Sequence, residues 1–369
     1  MPRYRLGCCV SAHGLGHSAR VAAVLEALAD LLDVEAVVVT TAPEGFFRSS
    51  FSGPLTYHHL RTDVGLVQRT ALQEDIPATI RELGDFYPLR REYVNGLADL
   101  FAACDLILCD IAPAGIAAAR QINIPSVLVE NFTWDWIFDG YSRTWPELRP
   151  YISMFRELYA QADYHVQAVP VCAPRRCDLR TGPVARRLRR SPEAVRRMLE
   201  LEPGQKVVLV SMGGQGMEGI GIRWPREARE VVFLVPGAQN LPPAPDNLRI
   251  LPADPRLHHP DLAACCDAVI GKVGYSTIAE VYQAGVPFGY IQRPGFPESG
   301  PLVRFIREEM CGIEITGQDL LGGDFGRTLA DLLSLGRLPP RRADGADRCA
   351  AFLAGLLQRR LPRASFLPG

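Results

Sequence analysis

Short apolar runs alternate along this chain with longer segments whose apolar positions recur every three or four residues. Residues 4–11 form the first run, and residues 34–40 and 55–60 read as two more strands. Between the first two, residues 18–32 place Val21, Val24, Leu25, Leu28 and Leu32 on one helical face. Residues 75–104 read as helical with a bend near Tyr87-Pro88, residues 106–109 and 126–129 as strands, and residues 115–121 as a helix. A second series follows, with strands at 207–211, 231–235, 248–251, 268–270 and 288–291 and a helix at 277–284. Runs apolar at every position suit strands buried on both faces, which are parallel strands. Repeated strand–helix units predict a doubly wound α/β architecture.

Two such series imply two domains. The stretch between them, 170–190, is rich in Pro and Arg and is expected to be a linker. The expected organisation is a domain over 1–169, the linker, a second domain over 191–345, and a helix and tail over 346–369 that pack back on the first domain. A chain of 369 residues with 47% hydrophobic content can fill two cores. A net charge of −1 argues against nucleic acid as a partner, which would need a basic field. No apolar run approaches the roughly 20 residues of a membrane span. The N-terminus lacks a signal-peptide shape, so a cytoplasmic location is expected, with peripheral membrane contact left open.

Most of the cysteines, such as Cys8, Cys9, Cys104, Cys109, Cys265 and Cys266, lie in or beside apolar runs, as reduced, buried thiols do. Cys172 and Cys177 lack a second pair at zinc spacing, so no metal is expected. Basic residues are almost all Arg; the two lysines are Lys206 and Lys272. A Lys retained in such a chain hints at a need for a compact ammonium.

In open α/β sheets ligands bind beyond the carboxyl ends of the strands. The sharpest strand-end segment is 271–280. Gly274 permits close backbone approach, and the amides around Tyr275, Ser276 and Thr277 would open a helix N-terminus toward phosphate. It is not a Walker A loop, because Val273 follows Lys272 and Cys266 stands where the first glycine should. Thr277-x-x-Glu280 also fits a capping box, in which Glu280 only satisfies a backbone amide. Gly14-x-Gly16-x-x-Ala19 matches the loose dinucleotide fingerprint, but Glu35 starts the second strand rather than ending it, which argues against NAD. His13 and His17 bracket that loop, either as a base or as loop histidines contacting backbone. Gly213, Gly214 and Gln215 form another strand-end turn, suited to phosphate or sugar or to a plain tight turn. Glu130, Asn131, Trp134 and Asp135 combine aromatics, carboxylates and amide, which suits a sugar or an apolar plug between domains. The basic stretch 186–197 reads as a solvated linker and helix face.

Residues 271–280, followed by Ala284-Gly285-Val286-Pro287, resemble the donor-binding motif of GT-B glycosyltransferases of the family 28 type. Asp110-Ile111-Ala112-Pro113, Asn131-Phe132-Thr133-Trp134-Asp135 and Gly271-Lys272-Val273-Gly274-Tyr275 resemble the N-terminal, glycosyltransferase-like half of plant-type L-arabinokinases. The resemblance implies the GT-B fold: two Rossmann-like domains facing across a cleft, the first holding an acceptor and the second a nucleotide sugar. It implies Glu280 on the ribose, with Ser276, Thr277 and the turn at 213–216 near the pyrophosphate. The loop after Leu251 would pack on the nucleobase, and Glu298 would meet the donor sugar's hydroxyls. His17 matches the family's loop histidine, with His13 as the rival base. The expected activity is metal-independent, inverting transfer from a UDP-sugar or similar donor, which is a co-substrate rather than a cofactor. The alternative is a sugar-nucleotide-binding or regulatory protein without turnover. The chain ends at Gly369 without the phosphate loop of a sugar kinase, so kinase activity is not expected of it.

Overall fold

The computed structural model describes residues 3–359, except 71, 214–223, 226–227, 238–245, 253, 255–256, 294, 323–324 and 342. The first half runs β1 (Tyr4–Val10), α1 (Gly16–Ala29), β2 (Val34–Thr40), α2 (Glu44–Ser50), β3 (Leu55–His59), β4 (Gln68–Thr70), β5 (Gln73–Glu74), α3 (Ile76–Phe86), α4 (Arg91–Phe101), β6 (Leu106–Asp110), α5 (Pro113–Gln121), β7 (Ser126–Glu130), α6 (Trp134–Asp139), α7 (Arg149–Tyr159), β8 (Tyr164–Ala168) and β9 (Leu179–Thr181). The second half runs α8 (Pro192–Met198), β10 (Lys206–Ser211), β11 (Val231–Pro236), β12 (Leu248–Leu251), α9 (His259–Cys265), β13 (Ala268–Lys272), α10 (Tyr275–Ala284), β14 (Phe288–Ile291), α11 (Ser299–Glu309), β15 (Gly312–Glu314), α12 (Gly317–Gly322), α13 (Gly326–Ser334) and α14 (Gly345–Arg359).

The apolar runs become two parallel sheets. The first has seven strands in the order β3-β2-β1-β6-β7-β8-β9, and the second has six in the order β12-β11-β10-β13-β14-β15. Strands β6 and β7 are buried at every position, as their unbroken apolar character requires. Each sheet carries a hydrophobic cluster on either face, built by the flanking helices.

Three local differences from the sequence pattern have physical causes. The expected linker 170–190 contains β9, which pairs with β8 and extends the first sheet. Three residues are too few to show a period, and the surrounding Pro and Arg hide them. The helical stretch 75–104 is two helices, because Pro88 has no amide to continue the first. The stretch 186–197, read as solvated, includes Arg186, which is buried. At the C-terminus α14 packs Cys349, Ala350, Leu353 and Leu357 into the same core as Val21, Val24 and Leu28 of α1.

In both sheets the strand order reverses beside the first strand, between β1 and β6 and between β10 and β13. A crevice opens at such a switch point, outside the carboxyl ends of the strands. Loops from the two switch points line one shared cleft.

Candidate active site in the interdomain cleft

The cleft holds a cavity of about 560 Å³. His13, Gly14, Gly16, His17 and Asn131 line it from the first domain. Gly213, Lys272, Gly274, Tyr275, Ser276, Thr277, Glu280 and Glu298 line it from the second. Gly214 and Gln215 lie outside the described residues. Pro252, Leu257 and His258, from the loop after β12, also reach the cavity.

Helix α10 starts at Tyr275, with Gly274 as an extended N-cap that makes no side-chain cap bond. Thr277 is therefore inside the helix, Glu280 is not its third residue, and the capping-box reading does not hold. The amides of the first turn have no intrahelical acceptors, and the residues that carry them line the cavity. Gly213 has φ +71, and a β-carbon there would come 3.3 Å from Lys272 Cε, so the lysine stem packs directly on this turn. Burial, followed by the nearby Arg293, lowers the Lys272 pKa to about 8.

His17 and Arg20 sit three residues apart on α1, on the same face. Both reach Asp110, the last residue of β6. His17 Nδ1 lies 2.8 Å from Asp110 Oδ1. Arg20 donates to both carboxylate oxygens, at 2.7 and 2.6 Å. Burial opposes ionisation of Asp110, but Arg20 and His17 outweigh it and hold the carboxyl below its ordinary range. An ionised carboxylate can only accept, so the Asp110 contact favours a proton on His17 Nδ1, and Arg20 Nη2 stands 3.2 Å from the same nitrogen. His13 differs. Burial, then His17 and nearby cations, push its pKa well down, and its ring stands edge-on to Trp134 at 5.1 Å.

The network crosses the cleft. Arg20 donates to Asn131 Oδ1 at 2.7 Å, and Asn131 Nδ2 donates to Glu298 Oε1 at 2.9 Å. Arg293 donates to Glu298 Oε2 at 3.2 Å. The Arg20 guanidinium also lies 4.8 Å above the Tyr275 ring. At the other end of the cavity, Glu280 pairs with Arg186 at 2.9 Å and with His259 at 2.6 Å. Burial raises the Glu280 pKa, but Arg186 and His259 overcome it and hold the carboxyl at about 2.

Three acceptor-side candidates do not line the cavity. Glu130 accepts from Gln167 at 2.8 Å and meets His165 at 2.9 Å. Asp135 stands 3.5 Å from Arg156. Trp134 is fully buried, packs against Phe132 and Phe138, and donates its indole N–H to Asp63 at 2.7 Å. The aromatic cluster is core packing.

Sequence reasoning missed Arg20, Asp110, Arg186, His259 and Arg293. Asp110 carried a signal, since it is a charged residue closing the apolar strand β6 at the switch point of the first sheet. Arg20 carried another, as a charge one turn after His17 on a helix whose neighbouring positions are small or apolar.

No family profile matches the chain. It is 31% identical over 336 residues to L-arabinokinase of Arabidopsis thaliana, a match that covers 88% of this chain and 32% of that protein. The chain thus spans about a third of that relative's length. Among solved structures, Arabidopsis thaliana UGT89C1 complexed with UDP-L-rhamnose aligns with a TM-score of 0.63 at 14% identity, covering 97% of this chain and all of that one. CalG4, the calicheamicin glycosyltransferase, aligns at 0.60 and 15% identity, covering 98% of this chain and 100% of that one. Acinetobacter baumannii MurG aligns at 0.54 and 15% identity, covering 97% of this chain and 100% of that one. Two parallel sheets, a shared cleft and these end-to-end alignments give the chain the GT-B glycosyltransferase fold.

Proposed function

We propose that the chain transfers a sugar from a nucleotide-activated donor, a UDP-sugar or close analogue, to an acceptor hydroxyl. The carrying observation is that His17, with Nδ1 committed to Asp110, shares one cavity with the α10 N-terminus and Lys272. In this reading Nε2 of His17 takes the proton as the acceptor oxygen attacks the anomeric carbon. The bond from that carbon to the diphosphate oxygen breaks. The helix amides and the Lys272 ammonium take up the charge of the departing diphosphate without a metal. A single displacement of this kind inverts the anomeric centre. A sensor without turnover would have no use for an oriented histidine at this point. Calorimetric titration with UDP and UDP-sugars tests the reading. Binding is expected well below millimolar, and no heat at about millimolar ligand would overturn it.

A further inference from the structure

The hairpin formed by β4 and β5 of the first domain reaches across the cleft. Its strands pair antiparallel, and its base is fixed to α3. Asp75 caps that helix by accepting from the Ala78 amide at 2.9 Å, and the Asp75 amide donates to the Val67 carbonyl at 2.7 Å. Leu72, between the two strands, packs against the core of the second sheet. The hairpin therefore bridges both domains, and Gln68 at its start lines the cavity.

The side chains gathered there are polar and have hydrogen-bonding capacity to spare. The Gln68 carboxamide, two donors and an acceptor oxygen, has no hydrogen-bond partner among the described residues. Arg293 lines the same cavity and is 5% exposed. Its Nη2 holds Glu298, while its Nε is buried without a partner among the described residues, as is Oε1 of Glu74 on β5. Buried polar groups left open in this way are uncommon and ask for a partner. Glu74 and Glu298 both act on Arg293 and Lys272, so two carboxylates face two cations. No positive charge is left over for an anionic acceptor beside the donor's diphosphate.

A flat aromatic or a lipid acceptor would need an apolar face beside His17. The first domain turns its nearby aromatics inward. Trp134, Phe138 and Phe155 are fully buried and pack ring against ring. Phe132 reaches the cavity but is 3% exposed and stands edge-on to His17. Val64 and Leu66, just ahead of the hairpin, fill the same core.

We infer that the acceptor is a small, uncharged, hydroxyl-rich molecule, a free monosaccharide or polyol, held by Gln68 and Arg293. A hydroxyl both donates and accepts, which matches a carboxamide and a guanidinium N–H. The inference rests on the transfer reading above and names its acceptor. One acceptor oxygen bonds to the anomeric carbon, its proton passes to His17, and the nucleoside diphosphate leaves with the electrons of the broken bond.

UDP release from UDP-glucose, UDP-galactose and UDP-xylose tests it, alone and with three acceptor sets: neutral hexoses, pentoses and inositol; naphthols; and long-chain alcohols in micelles. A member of the first set should raise release about tenfold or more, through an oriented hydroxyl at His17, and the other sets by less than about threefold. Naphthols or long-chain alcohols outdoing the sugars would overturn the inference, as would release that no set stimulates. No binding of UDP, or no release in any mixture, would instead remove the transfer reading. Gln68→Ala disturbs no internal hydrogen bond, and it should raise the KM of the stimulating sugar about tenfold with kcat within about threefold. An unchanged KM in that variant would count against acceptor binding at Gln68.

Discussion

Asn131 Nδ2 donates a 2.9 Å hydrogen bond to Glu298 Oε1, across the cleft between the two domains. Asn131 follows β7, and Glu298 immediately precedes α11. The sequence placed one on the acceptor side and the other on the donor sugar, and in the fold they are neighbours. Through Arg20 the same network continues to Asp110 and His17. In a low-dielectric interior such a chain is strong when every member is satisfied and costly when one is removed.

Asp110→Asn tests that coupling. The substitution takes the anionic acceptor from His17 Nδ1 and the charge partner from buried Arg20. Transfer or donor hydrolysis should slow by about 10²–10⁴-fold in kcat, as loss of an oriented base does. Stability should fall by about 3–5 kcal/mol, because a buried guanidinium loses its partner. Steady-state kinetics and urea denaturation read the two effects separately.

Lys272 gives nucleotide affinity a pH dependence. Only its charged form attracts the diphosphate, and its pKa stands at about 8. Affinity should be level below that pH and fall as pH rises through it, by about tenfold between pH 7 and 9. Lys272→Met should bind more weakly at pH 7 and lose the slope. A parallel slope in the variant would assign the pH dependence elsewhere.

Glu280 links stability to acid. Its folded pKa of about 2 lies below the ordinary 4.5, so the unfolded chain binds the proton first. Its contribution is complete above about pH 4.5 and disappears as pH falls through about 2, and is on the order of 3 kcal/mol. The difference in urea midpoint between wild type and Glu280→Gln should therefore narrow on moving from about pH 5 to about pH 3. A constant gap would mean that the carboxylate is not held by Arg186 and His259.

Trp134→Ala should act on the fold and not on acceptor choice. The residue is fully buried, and its indole N–H is the 2.7 Å partner of Asp63, a carboxyl that burial pushes up. The expected cost is about 3–5 kcal/mol of stability. A change in acceptor preference with unchanged stability would restore the sugar-platform reading.

The strand–helix alternation was legible because parallel strands buried on both faces leave unbroken apolar runs, as at β6, β7 and β10. β9 was not, because three residues carry no period. The loops that meet in the cleft were also legible, since Gly-rich turns follow strand ends. The partners of the candidate residues were hidden. Arg186 lies 94 positions from Glu280 and Asp110 lies 90 from Arg20, so only the folded topology joins them. Among Arg-rich stretches nothing in the sequence separates a buried guanidinium from a solvated one. Glu130 and Trp134 failed for the opposite reason. Polar and aromatic residues at a strand end suit a ligand and a satisfied core equally well.

The proposed sugar transfer requires His17 to act as the base. Incubating the purified chain with labelled UDP-sugar, with and without candidate acceptors, and following UDP release measures this directly. The wild type should release UDP, and His17→Ala should bind UDP with little change but release it about 10²–10⁴-fold more slowly. Equal release by wild type and His17→Ala, or none by a wild type that binds the donor, would contradict it.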